Sequence, residues 1–347
     1  MPHPRATAPQ PTLSVVAVDT GGADEGVATV VEGARRAGTS VVLFGPAAEI
    51  ADPVGEVVDA PLVIAGDEEP AHAVRSKPEA SIVQAARAVG NGRAKALVSA
   101  GATGAALAAS LFHVKRLRGV HRPAIAALVP VPGHPTLLLD AGANVEVRPE
   151  HLVQFALMGA AFMRAVHGVE RPRIGLLSVG DEATKGTADV VEAHARLAAL
   201  DADGGGHEFT GNVEGHEVTA GAVDVVVTDG FTGNVALKLM EGTARTVTGA
   251  VRDAVRSSPL ASLGGLLIRG RLAGLRRELD PNAVGGAVLL GLRRPVVIAH
   301  GGSSAEGIAN AVRLARRAVD ERAVERTADA LASAGVLRSG GSASFAP

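Results

Sequence analysis

Four side chains in this sequence are best suited to chemistry: Asp140, Asn144, Lys185 and Asn234, each of which follows a short apolar run. Leu137, Leu138 and Leu139 end at Asp140, and Ala-Gly-Ala-Asn turns the chain to Asn144. Pro149 and Glu150 then open a helix with Leu152, Phe155, Ala156 and Gly159 at helical spacing. Lys185 lies in Gly180-Asp-Glu-Ala-Thr-Lys-Gly after the run 174–179, and Asn234 lies in Asp229-Gly-Phe-Thr-Gly-Asn after the run 223–228. In an open parallel sheet the carboxyl rim of the strands is where ligands bind. An ammonium and a side-chain amide on that rim suit an anion and a carbonyl oxygen that gains negative charge.

Each motif also has a plainer reading. The turn Ser99-Ala-Gly-Ala-Thr-Gly follows the strand candidate 96–99, and its small residues at Gly101, Thr103 and Gly104 bring backbone amides together before a helix. It reads equally as an anion site or as a tight turn, and its spacing is neither a Walker loop nor a dinucleotide fingerprint. Lys185 beside Asp181 and Glu182 reads, on local sequence alone, as a solvated surface charge. Thr232 or Asn234 reads as the cap of a helix beginning near Val235. Asn212 and Glu214 in Gly211-Asn-Val-Glu-Gly, Asp229 with Gly233, and His300 with Ser303 in His300-Gly-Gly-Ser-Ser supply further rim groups. His151 reads as a helix cap or support.

Composition removes several alternatives. Aromatics make up 2% of the chain, without Trp or Tyr, and the formal net charge is −2, so neither a base-stacking surface nor a global basic field is present for nucleic acid. The sequence holds no Cys, which excludes a thiol acyl-enzyme and thiolate metal sites. There is no G-x-S-x-G elbow, and no HExxH or comparable ligand spacing points to a metal. No cofactor is expected.

The 347 residues are expected to fold as a single α/β domain over 12–335, with flexible tails at 1–11 and 336–347. The Pro-rich start lacks the apolar core of a signal peptide, so a cytoplasmic protein is expected. Strand candidates at 14–18, 41–44, 96–99, 124–129, 136–139, 174–179, 223–228 and 296–299 alternate with helical patterns at 81–89, 150–166 and 188–200. That alternation predicts crossover units and a largely parallel sheet covered on both faces. The charge-free run 96–112 is short for a membrane span and broken by Ser99, Gly101, Thr103 and Gly104, so it reads as strand, turn and buried helix.

Residues 241–280 differ from the rest. Val247, Val251 and Val255 form an i, i+4, i+8 stripe, Ser257-Ser258-Pro259 breaks it, and a Leu-rich stretch including Leu267 follows. Arg252, Arg256, Arg269, Arg271, Arg276 and Arg277 lie among them. The pattern predicts two short amphipathic helices that pack on the domain or a second subunit, or that lie on a membrane.

The segments 99–105, 140–159, 177–186 and 211–238, in this order, resemble the phosphate acyltransferases of bacterial phospholipid synthesis. The resemblance implies a three-layer α/β/α sandwich of the isocitrate dehydrogenase and phosphotransacetylase kind. It implies transfer of a fatty acyl group from acyl carrier protein to inorganic phosphate, and a homodimer attached peripherally to an anionic membrane. Lys185 falls on the family's phosphate-site position, and Asn234 is implied to polarise the thioester carbonyl. Ala102 departs from the family, which reads SAGNTGA there. Gly302 stands where a Ser is usual, and Asp19-Thr-Gly-Gly-Ala-Asp inserts Ala23 into a DAMGGD-like segment, leaving Asp19 and Asp24 as binding candidates. A thioester is already activated and phosphate is already ionised, so positioning and aimed donors are enough for this reaction. A phosphotransacetylase-like enzyme using acyl-CoA, or a weakened paralogue that only binds carrier protein or membrane, are the competing readings.

Overall fold

The structure is a computed structural model that describes residues 15–129, 131, 135–202, 206–278 and 283–337, with backbone alone at 271–273 and 275–278. The N-terminal half begins with β1 (Val16–Asp19), α1 (Gly26–Ala37), β2 (Val41–Gly45) and β3 (Glu56–Asp59). It continues with α2 (Pro70–Ser76), α3 (Ser81–Gly90), β4 (Ala96–Ser99) and α4 (Thr103–Ala109). The middle comprises β5 (Ala124–Val129), β6 (Thr136–Leu139), α5 (Pro149–His167), β7 (Arg173–Leu177), α6 (Ala188–Ala202), β8 (Glu208–Val213) and β9 (Val225–Val227). Then come α7 (Gly230–Arg256), α8 (Pro259–Glu278), β10 (Ala287–Leu290), β11 (Val296–Ile298), α9 (Ala305–Asp320) and α10 (Ala323–Ser333).

Among the described residues eleven strands form one sheet, in the order β3-β2-β1-β4-β11-β10-β5-β6-β9-β7-β8. Alternation along the strands sends side chains to two layers. Val16, Val18, Leu137 and Leu139 pack under α1, α5, α6, α9 and α10, whereas Ala17, Leu97 and Ile125 pack under α2, α3 and α4. Helix α5 is buried almost all round, so its apolar residues occur on every face rather than in one stripe. This is the expected three-layer sandwich.

The sheet is mostly parallel but not of one direction. Strands β1, β2, β3, β4 and β11 are mutually parallel, as are β6, β9, β7 and β8. Antiparallel pairings β11/β10, β10/β5 and β5/β6 join the two sets, so the sets run in opposite directions. A periodicity of two reports that a strand is half or fully buried, not which way it points. The strand ends expected on one rim therefore stand on two.

Other differences have local causes. Strand β3 is a half-exposed edge flanked by acids, and β8 carries Gly211 and a register shift opposite Ile174/Gly175, which hides both from an apolar pattern. Helix α7 starts at Gly230, not near Val235, because Asp229 caps it by accepting from Thr232 N at 2.8 Å. The break at 257–259 is where it was expected, but the two helices hold 27 and 20 residues and are not short. Val336 and Leu337 pack on the core, and Gln154 donates to Val336 O at 2.7 Å. The tail expected at 336–347 is thus held through Leu337. Residues 1–11 and 338–347 lie outside the described residues.

Candidate active site

The loop after β6 is built around Asp140. One carboxylate oxygen accepts from the amides of Ile125, Gly142 and Ala143 at 2.9–3.0 Å, and the other accepts from Asn144 N and Asn144 Nδ2 at 2.8 Å each. Burial pushes the carboxyl of Asp140 up, and these hydrogen bonds oppose the shift. Asn144 Nδ2 also donates to Pro123 O at 2.8 Å. Asp140 and Asn144, expected as substrate contacts, thus spend these groups on shaping the loop.

That loop seats the start of α7. Gly230 N donates to Asn144 O at 2.7 Å, and a Cβ on Gly233 would fall 1.9 Å from the carbonyl oxygen of Asp140, which restricts this position to Gly. Asn234, one turn into the helix, donates Nδ2 to Ala141 O at 3.1 Å. Its second N–H remains for a ligand, and the residue is exposed. Strand β7 lies beside β9, so the loop carrying Lys185 opens on the same rim as Asn234.

Asn212 holds the Lys185 loop. Its Nδ2 donates to the carbonyl oxygens of Glu182 at 2.8 Å and Lys185 at 3.4 Å, while its Oδ1 is buried without a partner, as is Ser178 Oγ nearby on β7's continuation. Gly186, at φ +107°, lies where a Cβ would press on Ser178 Oγ at 2.8 Å, so the loop needs Gly there. The stem of Lys185 lies over Gly180, where a Cβ would come 3.0 Å from Lys185 Cγ. The ammonium is exposed and forms no ion pair among the described residues. Glu214 is half-exposed and faces His216 Nδ1 at 3.5 Å.

The remaining candidates form a second group at the ends of β1, β4 and β11. Ser99 Oγ donates to Asp19 Oδ2 at 2.7 Å and accepts from Gly101 N at 3.1 Å, while Gly21 N donates to Asp19 Oδ1 at 3.1 Å. Burial pushes Asp19 up to about 6, against hydrogen bonds from Ser81, Ser99 and Gly21. These residues border a small pocket also lined by Val63, Ile64, Ile82 and Ala102. Gly104 lets Pro70 approach, since a Cβ would sit 2.8 Å from the proline ring. Thr103 is exposed, and α4 has no side-chain cap, which is the local consequence of Ala102. His300 Nδ1 accepts from Gly302 N at 3.2 Å, and Ser303 is buried behind it. Ala102 of this group and Ala141, Ala143 and Leu237 of the other pack on one apolar cluster, so both groups border the same face of the sheet.

The sequence profile of a family described as fatty acid synthesis protein matches residues 14–326. A phosphate acyltransferase of Elusimicrobium minutum is 43% identical over 319 residues, covering 88% of this chain and 92% of the relative. One of a Geobacillus species is 44% identical over 315 residues, covering 88% and 94%. The chain belongs to the phosphate acyltransferase family. It is therefore an acyltransferase that uses phosphate as acyl acceptor. Its fold is that of a phosphotransacetylase from Streptococcus pyogenes, with a TM-score of 0.59 at 18% identity over 88% of this chain and 94% of that one.

Two features of this acyltransferase escaped sequence reading. The Asp19–Ser99 bond joins residues 80 positions apart, and only the pairing of β1 with β4 brings them together. His121, Glu150 and His151 place one ligand atom each within 4.8 Å of the others. His151 Nδ1 accepts from Arg148 N at 3.2 Å and so caps α5, which leaves the proton on Nε2. A cation at Nε2 would require the opposite tautomer and break that cap, so the trio does not fit a metal.

Proposed function

We propose that this acyltransferase moves a fatty acyl group from acyl carrier protein to inorganic phosphate, giving acyl phosphate for phospholipid synthesis. The observation that carries the reading is the placement of Lys185 and Asn234 after the adjacent strands β7 and β9, with an ammonium and an N–H open to a ligand. Lys185 binds phosphate and neutralises developing charge, and Asn234 donates to the thioester carbonyl oxygen. A phosphate oxygen attacks the carbonyl carbon, a C–O bond forms, the C–S bond breaks, and the thiolate leaves with the electron pair and takes up a proton. The chain has no Cys, which supports direct attack over a thiol acyl-enzyme. Asn212 holds the Lys185 loop in place, Glu214 borders the phosphate side, and the acyl-bearing arm runs along the apolar face that reaches the loop 99–104.

The exposed hairpin supports a homodimer in peripheral contact with an anionic membrane. Leu239, Leu260 and Leu267 are 68–80% exposed, and Arg252, Arg256 and Arg269 are exposed beside them. The side chains of Arg271, Arg276 and Arg277 lie outside the described residues. Among the described residues no helix is long and apolar enough to cross a membrane.

Purified protein tests the reaction when given long-chain acyl carrier protein, with acyl phosphate trapped as hydroxamate. Loss of the thioester that requires phosphate supports the proposal. Phosphate-independent loss, or turnover of acetyl-CoA in preference to the carrier-bound chain, overturns it.

A further inference from the structure

The residues from Gly101 to Leu139 contain no Asp or Glu, although acids outnumber Lys and Arg by 36 to 34 in the chain as a whole. The cations of that stretch are confined to its centre, at Lys115, Arg116, Arg118 and Arg122, in the loop between α4 and β5. The fold adds others to them. Arg293 N donates to Lys115 O at 3.0 Å and its Nε to Arg116 O at 3.1 Å, so the loop after β10 lies along this one. His121 N donates to Gln154 Oε1 at 2.8 Å, which fixes the other end against the first turns of α5, where Arg148 is exposed.

Five of these cations are not held in carboxylate ion pairs. The Arg116 guanidinium is held by the carbonyl oxygens of Val120 and His121, and Lys115, Arg116, Arg122, Arg148 and Arg293 form no ion pair with a carboxylate among the described residues. The surface is also tied to the active site. Strand β5 is antiparallel to β6, so its beginning stands at the end of β6, and Pro123 O accepts from Asn144 of the Asp140 loop at 2.8 Å. Arg122 is the residue before that proline.

We infer that this basic surface, built from 115–122, Arg148 and Arg293, docks an acidic protein that carries the acyl thioester. The inference rests on the carrier-bound donor proposed above. Cations spread over two loops and a helix start exceed what one phosphate group requires, and they match a protein surface with several carboxylates. Such complementarity raises the association rate and fixes orientation more than it adds affinity. A carrier seated here presents its thioester arm to the rim that holds Lys185 and Asn234.

The test uses the full chain with Arg118→Glu and Arg122→Glu combined, and separately Lys115→Glu. The same acyl chain is supplied on an acidic carrier protein, on CoA and on uncharged N-acetylcysteamine. Expected is a fall in kcat/KM of at least about tenfold with the carrier, a flattened salt dependence, and rates within about twofold with N-acetylcysteamine. Arg118→Lys with Arg122→Lys should retain most carrier activity. An equal fall with all donors, no change with the carrier, or a fall with CoA alone overturns the inference. If wild-type protein turns over none of the donors, the proposed reaction fails, and anisotropy of labelled carrier protein decides the surface by itself. Salt-sensitive binding lost in the double variant supports it; absent or unchanged binding, or loss of anionic-vesicle binding in its place, overturns it.

Discussion

Asn234 donates its side-chain amide to the carbonyl oxygen of Ala141 across 3.1 Å, joining the first turn of α7 to the loop after β6. A carbamoyl group held by one N–H keeps the other in a fixed direction, as an oxyanion donor must, with no reorganisation during the reaction. Lys185 stands on the same rim. Asn234→Ala and Lys185→Ala are each expected to lower turnover by at least about tenfold, with unchanged circular dichroism. Asn234→Asp should be no better than Ala, because it places a carboxylate near developing negative charge. Near-normal rates in both Ala variants would remove these residues from the mechanism.

Gly233 and Gly242 lie on the same helix but differ in what surrounds them. A Cβ at Gly233 meets the Asp140 carbonyl at 1.9 Å, whereas one at Gly242 meets nothing within 4 Å. Backbone cannot give way as a flexible side chain does, so Gly233→Ala is expected to cost about 1–3 kcal/mol and to displace Asn234. Gly242→Ala should stabilise by roughly 0.5–1 kcal/mol through helix propensity. Urea unfolding of the two variants checks the contrast, and equal midpoints would contradict it.

Much of this site was legible in the sequence because its motifs follow apolar strands directly. The runs before Asp140, Lys185 and Asn234 became β6, β7 and β9, and the break at 257–259 divided the hairpin as expected. Strand direction was not legible, since the pattern around Leu137, Leu138 and Leu139 is the same whichever way the neighbours run. Nor was the duty of Asp140: a carboxylate at a strand end reads as a ligand group until five donors are seen to occupy it. The cap of α7 was misplaced because Asp229, Thr232 and Asn234 all suit an N-cap, and only the backbone selects Asp229.

Catalysis is expected to need no metal. The one cluster of His and carboxylate groups among the described residues, His121, Glu150 and His151, commits His151 Nδ1 to the cap of α5. Phosphate is instead held by the Lys185 ammonium in the proposed reaction. Activity should survive exhaustive EDTA treatment. Reproducible loss that one divalent ion restores would contradict this.

Asp19 gives stability a defined pH dependence. Burial raises its carboxyl to about 6 in the folded protein against an ordinary 3.8. The native state therefore holds more protons than the unfolded chain between those values, and stability falls as pH rises through that window. The shift corresponds to about 3 kcal/mol at most. Asp19→Asn carries no titrating proton, so its stability relative to wild type should climb by up to ~3 kcal/mol from roughly pH 4 to pH 6.5. Urea midpoints across that range test it; a difference that does not change with pH would contradict the assignment.

The hairpin presents apolar side chains that the fold leaves uncovered. Val255 packs against Gly265, where a Cβ would lie 2.2 Å from its Cγ1, and Ser262 Oγ donates to Val255 O at 3.1 Å, so α7 and α8 hold each other near the bend. Leu260 and Leu267 remain 80% exposed, with Arg252, Arg256 and Arg269 alongside. Basic side chains at an anionic lipid surface contribute about 1 kcal/mol each, while leucines enter the interface. Salt-sensitive binding to anionic but not zwitterionic vesicles is therefore expected, weakened by Leu267→Glu or by Arg252→Glu with Arg256→Glu. Sedimentation of the same variants separates the two uses of the hairpin. If vesicle binding is untouched and a dimer becomes monomeric, the exposed face is a subunit interface and the membrane reading fails.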